Sequence, residues 1–464
     1  MMIHSHEMDG GHGARRANTG YGPRLSVMDI GREDLLAVID PESALWHIVP
    51  REELSRALSG DLAEAEAKRE EHLREMEHLR FGLSPSAVYF NPTERCNMNC
   101  SYCYIPEEIR GNGTSMDPDR LCRALESLSV YFRQVLPEGA RPQLIFHGSE
   151  PMMAKDAVLR GIEAFSGEFD FGIQTNGTLF RESDLAFLQD HDVGIGLSLD
   201  APQQDIAAKN RKNWAGEGTF QSVLGVIRQL ESYPAFNVIT TVTKDNVHSL
   251  PQMVDFHQEH GVEVCMFNPV RCTNRGGFRD KPEDEVLLEK MIQALDRVLE
   301  NYERTGKKLV VANFANILAG ILGPTSRRLM CDISPCGGGR CFFAVGARGD
   351  IFPCSEFVGM AEFSGGNLFR DNIADVLKSA PIQSVTDRVV ENFSPCSTCA
   401  VRHFCGAPCP AEVYGLHGEL NSPAPYCRFY EGLIRYAFRV IAKDKELAFL
   451  WDEWESETEE SHRL

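Results

Sequence analysis

No run of about 18 apolar residues occurs in this 464-residue chain, so nothing in it reads as a membrane-spanning helix and no membrane partner is expected. Positive charge is scarce. Lys and Arg number 47 against 67 Asp and Glu, a formal charge of -20. Binding a phosphate backbone needs a basic face, so nucleic acid is not an expected partner, although a local basic patch stays open. Met1 to Arg24 have no apolar core and do not read as a secretory signal. Residues 1–25 are expected to form a disordered lead-in, and cytoplasm is the expected compartment. Cysteine, by contrast, is abundant at 15 residues. In a chain without an export signal that points to metal or redox chemistry rather than disulfides.

Residues 86–320 alternate short apolar runs with segments long enough for helices. The candidate strands are Ala87–Thr93, Gln143–His147, Phe171–Thr175, Gly194–Leu199, Phe236–Val242 and Val262–Asn268. Six such units predict an α/β fold, a partial (β/α)6 TIM-like barrel with function at the C-terminal strand edge. Ahead of it, residues 26–85 read as two strands, Leu35–Asp40 and Ala44–Val49, followed by a charged helix over Arg51–Leu79. This module is either a packing flap or a peptide-recognition element whose strand edge accepts a leader peptide. An amphipathic helix from Arg428 leads into a C-terminal segment, 436–464, that closes on the acidic run Glu457–Glu460.

The first strand runs directly into Cys96-Asn97-Met98-Asn99-Cys100-Ser101-Tyr102-Cys103. Three thiolates at these spacings can hold three irons of a [4Fe-4S] cube and leave the fourth without a protein ligand. Zinc is the competing reading, but it normally takes four ligands, and no fourth Cys or His lies close by in sequence. With its Cys-x3-Cys-x2-Cys run, the chain resembles the radical S-adenosylmethionine (SAM) superfamily. The resemblance implies that Cys96, Cys100 and Cys103 hold the SAM-binding cluster and that Tyr102 lies beside cluster and adenine. His147-Gly148-Ser149-Glu150-Pro151 resembles the superfamily's Gly-Gly-Glu-Pro motif. There Gly148 and Ser149 would let the backbone approach SAM, and Glu150 would meet its amino group. Asn176 is carried to the SAM pocket, and Ser198 and Arg211 to the methionine carboxylate. The plainer alternatives are local: Asn176-Gly177 as a turn and Asp200 as a helix cap.

Nine further cysteines crowd residues 331–427. Gly-x4-Cys at Cys354, then Cys-x2-Cys-x5-Cys-x3-Cys and a last Cys, resembles the SPASM iron-sulfur extension of peptide-modifying radical SAM enzymes, here spanning 321–435. Eight thiolates suffice for two auxiliary [4Fe-4S] clusters. By resemblance Cys336, Cys341, Cys354 and Cys409 take one cluster, and Cys396, Cys399, Cys405 and Cys427 the other. Cys331 is left over and competes with Cys336 for the first. Cys122, Cys265 and Cys272 read as unliganded thiols. A zinc ribbon is the alternative over Cys396–Cys409.

The resemblance implies a radical SAM enzyme that abstracts hydrogen from a ribosomally made precursor peptide or protein. Thioether or other crosslinking is the leading expectation, with an electron donor such as flavodoxin or ferredoxin as partner. Formylglycine formation is the alternative. Sulfatase maturases carry an aspartate base after the Gly-x4-Cys cysteine, where this chain has Ser355; Glu356, one position on, is the candidate catalytic base or else a solvated side chain. Chemistry on a small molecule and a non-catalytic electron-transfer or scaffold role are the remaining alternatives.

Overall fold

The computed structural model describes residues 25–59, 62–452 and 454. The expected lead-in, apart from Leu25, and the acidic run Glu457–Glu460 lie outside them. Two sheets carry the architecture. A small antiparallel sheet of order β1-β2-β3 combines Ser26–Asp29, Leu35–Ile39 and Trp46–Pro50. Sequence reading expected only the last two strands. The charged segment after it forms helices Leu54–Ser59 and Leu62–Glu77. This sheet packs through Trp46, whose indole N–H donates to the Ile321 carbonyl at 2.7 Å and whose ring meets Phe438 edge-on at 5.3 Å.

The second sheet has ten strands in the order β10-β9-β8-β7-β6-β5-β4-β11-β12-β13. Its centre is the expected set of six: β4 (Ala87–Phe90), β5 (Gln143–Phe146), β6 (Asp170–Thr175), β7 (Gly194–Ser198), β8 (Phe236–Val242) and β9 (Val264–Pro269). Each pairs in parallel with its sequence neighbour. Crossover helices cover the outside. The first, Pro118–Val135, starts on Asp117, whose carboxylate accepts the Arg120 N–H at 2.8 Å, and buries Leu121, Leu125, Leu128 and Phe132 along one face. A two-residue strand, β10 (Val310–Val311), extends the β9 edge.

At the other edge the Cys-rich region joins the barrel directly. β11 (Phe342–Val345) pairs in parallel with β4, with Phe342 opposite Ala87, and turns back through β12 (Asp350–Phe352) and β13 (Gly366–Asn367). The expected boundary at 320/321 falls inside the buried helix Ala312–Leu322, and the one at 435/436 inside the continuous helix Cys427–Ile441. Among the described residues no helix is long and apolar enough to cross a membrane.

Candidate active site

The loop Cys96–Cys103 leaves the C-terminal end of β4 and is clamped by backbone bonds. Cys96 N–H donates to the Arg110 carbonyl (2.9 Å), Asn99 N–H to Lys212 (2.7 Å) and Ser101 N–H to Asn210 (3.0 Å). The buried Arg110 guanidinium returns a bond to the Met98 carbonyl at 3.1 Å. So held, Cys96, Cys100 and Cys103 face a cavity of about 240 Å³ that is also lined by Tyr102, Gly148, Ser149, Asn176, Ser198, Arg211 and Glu356. Seven residues singled out from sequence thus share one space with the three cysteines: five at the ends of β4 to β7, Arg211 after helix Gln204–Asn210, and Glu356 from the Cys-rich region.

Gly148 has φ +103°, and a Cβ there would meet Asn91 at 2.5 Å, so glycine is required. Ser149, standing where the motif has glycine, donates its hydroxyl to the Glu94 carbonyl at 2.7 Å. Glu150 departs from expectation. It is wholly buried and does not line the cavity; its carboxylate accepts from Asn176 N–H (2.8 Å), Thr175 hydroxyl (2.7 Å) and Met152 N–H (3.1 Å). Burial pushes its pKa up against those bonds. The carboxylate therefore ties the turn after β5 to the end of β6. Asp200 is not a helix cap. One oxygen accepts the Tyr102 hydroxyl at 2.6 Å and Arg211 Nε at 3.2 Å, the other Thr241 N–H at 3.1 Å. Arg211 also donates to the Tyr102 oxygen at 2.8 Å. This buried triad sets the planes of Tyr102 and Arg211 on the cavity wall.

A second cavity, of about 220 Å³, opens between the strand ends and the Cys-rich region. It shares His147, Gln174, Arg271 and Glu356 with the first, so the two adjoin across these side chains. Cys331, Cys336, Cys354 and Cys409 line it. Cys341 does not; it is buried, and Cys336 is near enough to raise its pKa. The accessible surface of Cys331 opens into this cavity. Cys396, Cys399, Cys405 and Cys427 form the other group, in which Cys405 feels the other three as like charges. Cys409 sits at φ +57°, a strained setting for a side-chain residue, just ahead of helix Pro410–His417.

Glu356 is half-buried in the cavity wall, its side chain 22% accessible. Burial raises it to about 7, Arg271 opposes this and Glu412 adds to it. Its Oε1 is 3.8 Å from Arg271 Nε, and its Oε2 is buried without a hydrogen-bond partner. Arg271 is itself anchored at 2.8 Å by Glu412, which also accepts the Cys272 N–H. His147 adjoins Tyr89 edge-on, and burial holds it neutral by lowering its pKa to about 4. Sequence reasoning missed Asp200, Arg271, Glu412 and His147 as parts of the site. His147, Asp200 and Arg271 share one signal, a polar residue just past the end of a strand, and Glu412 has none.

The donor set fits iron-sulfur clusters. Burial raises the thiols, Cys96 to about 12 and Cys100 to about 11, so thiolates here need a bound cation. Among the described residues no three Cys, His, Asp or Glu converge on a single-ion site. Tetrahedral zinc would hold its sulfurs about 3.8 Å apart, whereas a cube spreads its ligands over separate corners.

The chain belongs to the radical SAM superfamily: the family description "Radical SAM superfamily" matches residues 90–257, and "Iron-sulfur cluster-binding domain", the SPASM family, matches 336–400. Membership brings a SAM-binding [4Fe-4S] cluster, SAM itself and auxiliary clusters in the C-terminal region. Among individual proteins it is 41% identical over 403 residues to an uncharacterized protein of Archaeoglobus fulgidus, covering 87% of this chain and 91% of that one. It is 23% identical over 383 residues to a cysteine-type anaerobic sulfatase-maturating enzyme of Clostridium perfringens, 77% of this chain and 97% of the other. The solved structure of native anSMEcpe with bound AdoMet and Cp18Cys peptide shares the fold, with TM-score 0.67 and 20% identity over 78% of this chain and 99% of that one.

Proposed function

We propose that this radical SAM enzyme matures a ribosomally made peptide or protein, joining a cysteine sulfur to a neighbouring carbon or making another crosslink. One observation carries the reading. The space at Cys96, Cys100 and Cys103 adjoins the one lined by Cys354, Cys409 and Glu356, and His147, Gln174, Arg271 and Glu356 line both. A side chain reaching the place where they meet would have the SAM cluster on one side and an auxiliary cluster on the other. Cys96, Cys100 and Cys103 would hold the SAM cluster; Cys336, Cys341, Cys354 and Cys409 the first auxiliary cluster, with Cys331 a fifth thiol beside it; Cys396, Cys399, Cys405 and Cys427 the second. When bound, the SAM cluster supplies one electron to the sulfonium of SAM, releasing methionine and a 5'-deoxyadenosyl radical that takes hydrogen from unactivated carbon.

The protein's own side chains do the rest. Tyr102 and Arg211, braced by Asp200, orient the nucleotide from the wall, with Ser198 and Asn176 beside them. Gly148 and Ser149 bring backbone close to it. Glu356 receives the thiol proton through its free Oε2, with Arg271 steadying the other oxygen. The pocket roofed by the Cys-rich region excludes water from the reactive carbon. For a thioether the balance is one hydrogen atom from carbon, one proton from sulfur to Glu356 and one electron to the auxiliary cluster, so the product lacks two hydrogens. A flavodoxin- or ferredoxin-type donor supplies the first electron. Formylglycine formation is the second reading, favoured by the place of Glu356 on the cavity wall. Anaerobic enzyme, dithionite, SAM and candidate precursor peptides, analysed for 5'-deoxyadenosine and peptide mass, decide. A peptide two hydrogens lighter with sulfur retained supports crosslinking, loss of sulfur supports formylglycine, and no 5'-deoxyadenosine defeats both.

A further inference from the structure

Among the auxiliary cysteines lies a buried cation that no carboxylate neutralises. Arg388 follows helix Ala380–Thr386 and is 3% exposed. Its guanidinium donates to three carbonyls, Leu420 from Nε, Ala407 from Nη1 at 2.9 Å and Ser422 from Nη2 at 3.0 Å. The ring of Phe393 lies 4.7 Å from it. These contacts satisfy hydrogen bonds and cancel no charge. Among the described residues no carboxylate forms an ion pair with it. The neighbouring carboxylates are turned elsewhere: Asp387 is exposed, Glu391 pairs with Arg80 at 2.8 Å, and Glu419 accepts the Ser422 hydroxyl at 2.7 Å. A guanidinium buried without a counter-charge is costly, so an anion is expected beside it.

What surrounds it is cysteine. Burial pulls the Arg388 pKa down, and Cys336, Cys396, Cys409 and Cys405 act the other way as thiolates, so members of both proposed cluster groups lie within reach of its charge. Local packing gives the same picture. The Arg388 carbonyl accepts the hydroxyl of Ser334, two residues before Cys336; its Nη1 holds the Ala407 carbonyl, between Cys405 and Cys409; and Phe393 packs with Ala407 and Cys396. Other cations near the first group are differently placed. Arg340 acts on Cys336 and Cys341, and Arg271 is bound by Glu412.

We infer that Arg388 is the counter-charge shared by the two auxiliary clusters, a positioning residue that raises the reduction potential of both. The inference rests on the cluster assignment proposed above. A cube bound by four thiolates is an anion, and an added electron makes it more negative, so a fixed cation beside it favours the reduced form. Burial of Arg388 strengthens that effect by keeping water from screening it. One guanidinium thus makes each cluster a better acceptor for the electron that leaves the substrate radical. The radical loses one electron, the cluster gains it, and Arg388 keeps its proton throughout. The cluster at Cys96, Cys100 and Cys103 has cations of its own, with Arg211 and Arg110 acting on Cys100.

The test uses the full-length, anaerobically reconstituted enzyme and two variants, R388Q, which drops the charge, and R388K, which keeps it. Iron per chain and a potentiometric titration followed by electron paramagnetic resonance are read for all three. In R388Q with wild-type iron, the reduced-to-oxidised ratio of the auxiliary clusters at a fixed potential should fall at least about tenfold, a downward shift of about 59 mV. The SAM cluster should keep its midpoint. R388K should hold the wild-type midpoints although it makes fewer bonds. If R388Q loads no auxiliary iron while R388K loads it, the clusters need the charge and the inference stands. Unmoved midpoints in iron-replete R388Q, an equal fall in R388K, a matching shift of the SAM cluster, or loss of auxiliary iron from both variants would each overturn it. Wild type holding about four irons per chain rather than about twelve would instead sink the cluster assignment, and the inference with it.

Discussion

At the scale of single residues, the cysteines were legible because their spacing is local chemistry: three donors within eight residues can meet one cluster whatever the fold does. Replacing Cys100 with alanine is therefore expected to lower bound iron by about four atoms per chain and to abolish 5'-deoxyadenosine formation, while the auxiliary cysteines keep their iron; elemental analysis and chromatography measure both. Side-chain direction was not legible. Glu150 shares its motif with Gly148, but its partners Thr175 and Asn176 lie on the next strand, and no local pattern says that a carboxylate will turn inward to them. Asp200 is the converse. It looked like a cap and instead neutralises Arg211 and orients Tyr102. Asp200→Ala would leave a buried guanidinium without its counter-charge, a loss of about 3–5 kcal/mol in stability. SAM affinity, read by equilibrium dialysis, should fall with it. Tyr102→Phe removes one hydrogen bond and should cost about 1 kcal/mol. Equal effects from the two would mean that Asp200 does nothing beyond holding the tyrosine.

At the scale of elements, the six parallel strands were readable because each is an apolar run bounded by turn residues, and their ends moved by only a few residues. One helix carries a titration that pattern reading could not reveal. His257, in Leu250–Glu259, is wholly buried against Phe267 and neither ring nitrogen has a hydrogen-bond partner. Burial lowers its pKa to about 3, with His260 adding a little. An unfolded imidazole takes its proton near 6.5. Between these values the unfolded chain binds more protons, so this residue's contribution to stability falls as pH drops below 6.5 and stops falling near 3. At pH 5 the loss is on the order of 2 kcal/mol. His257→Leu keeps the packing and removes the titration. It should flatten the pH dependence of melting between pH 7.5 and 5 and raise the midpoint at pH 5 by about 4 °C, measured by scanning calorimetry. A midpoint lower than wild type at both pH values would show that the imidazole has a partner after all.

At the scale of the whole molecule, sequence reading divided barrel from Cys-rich region near residue 320, and the structure joins them in one sheet. The reason is physical. β11 is four residues, Phe-Phe-Ala-Val, and its partner β4 lies some 250 positions earlier; a pairing of that range leaves no trace in local periodicity. Yet it closes the barrel's first edge. Phe343 of β11 stacks on Phe132 at 6.0 Å and meets Tyr131 at 6.0 Å, so the strand also roofs the first crossover helix. Phe343→Ala should cost about 3–5 kcal/mol. Ending the chain after Leu322 should do worse. It would strip β4 of a strand partner, expose an unpaired edge beside the cluster loop and bare the apolar faces of Phe132 and Tyr131, conditions that favour edge-to-edge association. The truncated protein should elute as aggregate in size-exclusion chromatography and fail to hold iron at Cys96, Cys100 and Cys103, although none of those residues is removed. Because β4 feeds directly into Cys96, disorder at its edge reaches the cluster loop within six residues. A monodisperse truncation that still loads this cluster would mean that β4 keeps its course without β11, and that the auxiliary region is an appendage rather than the barrel's closing wall.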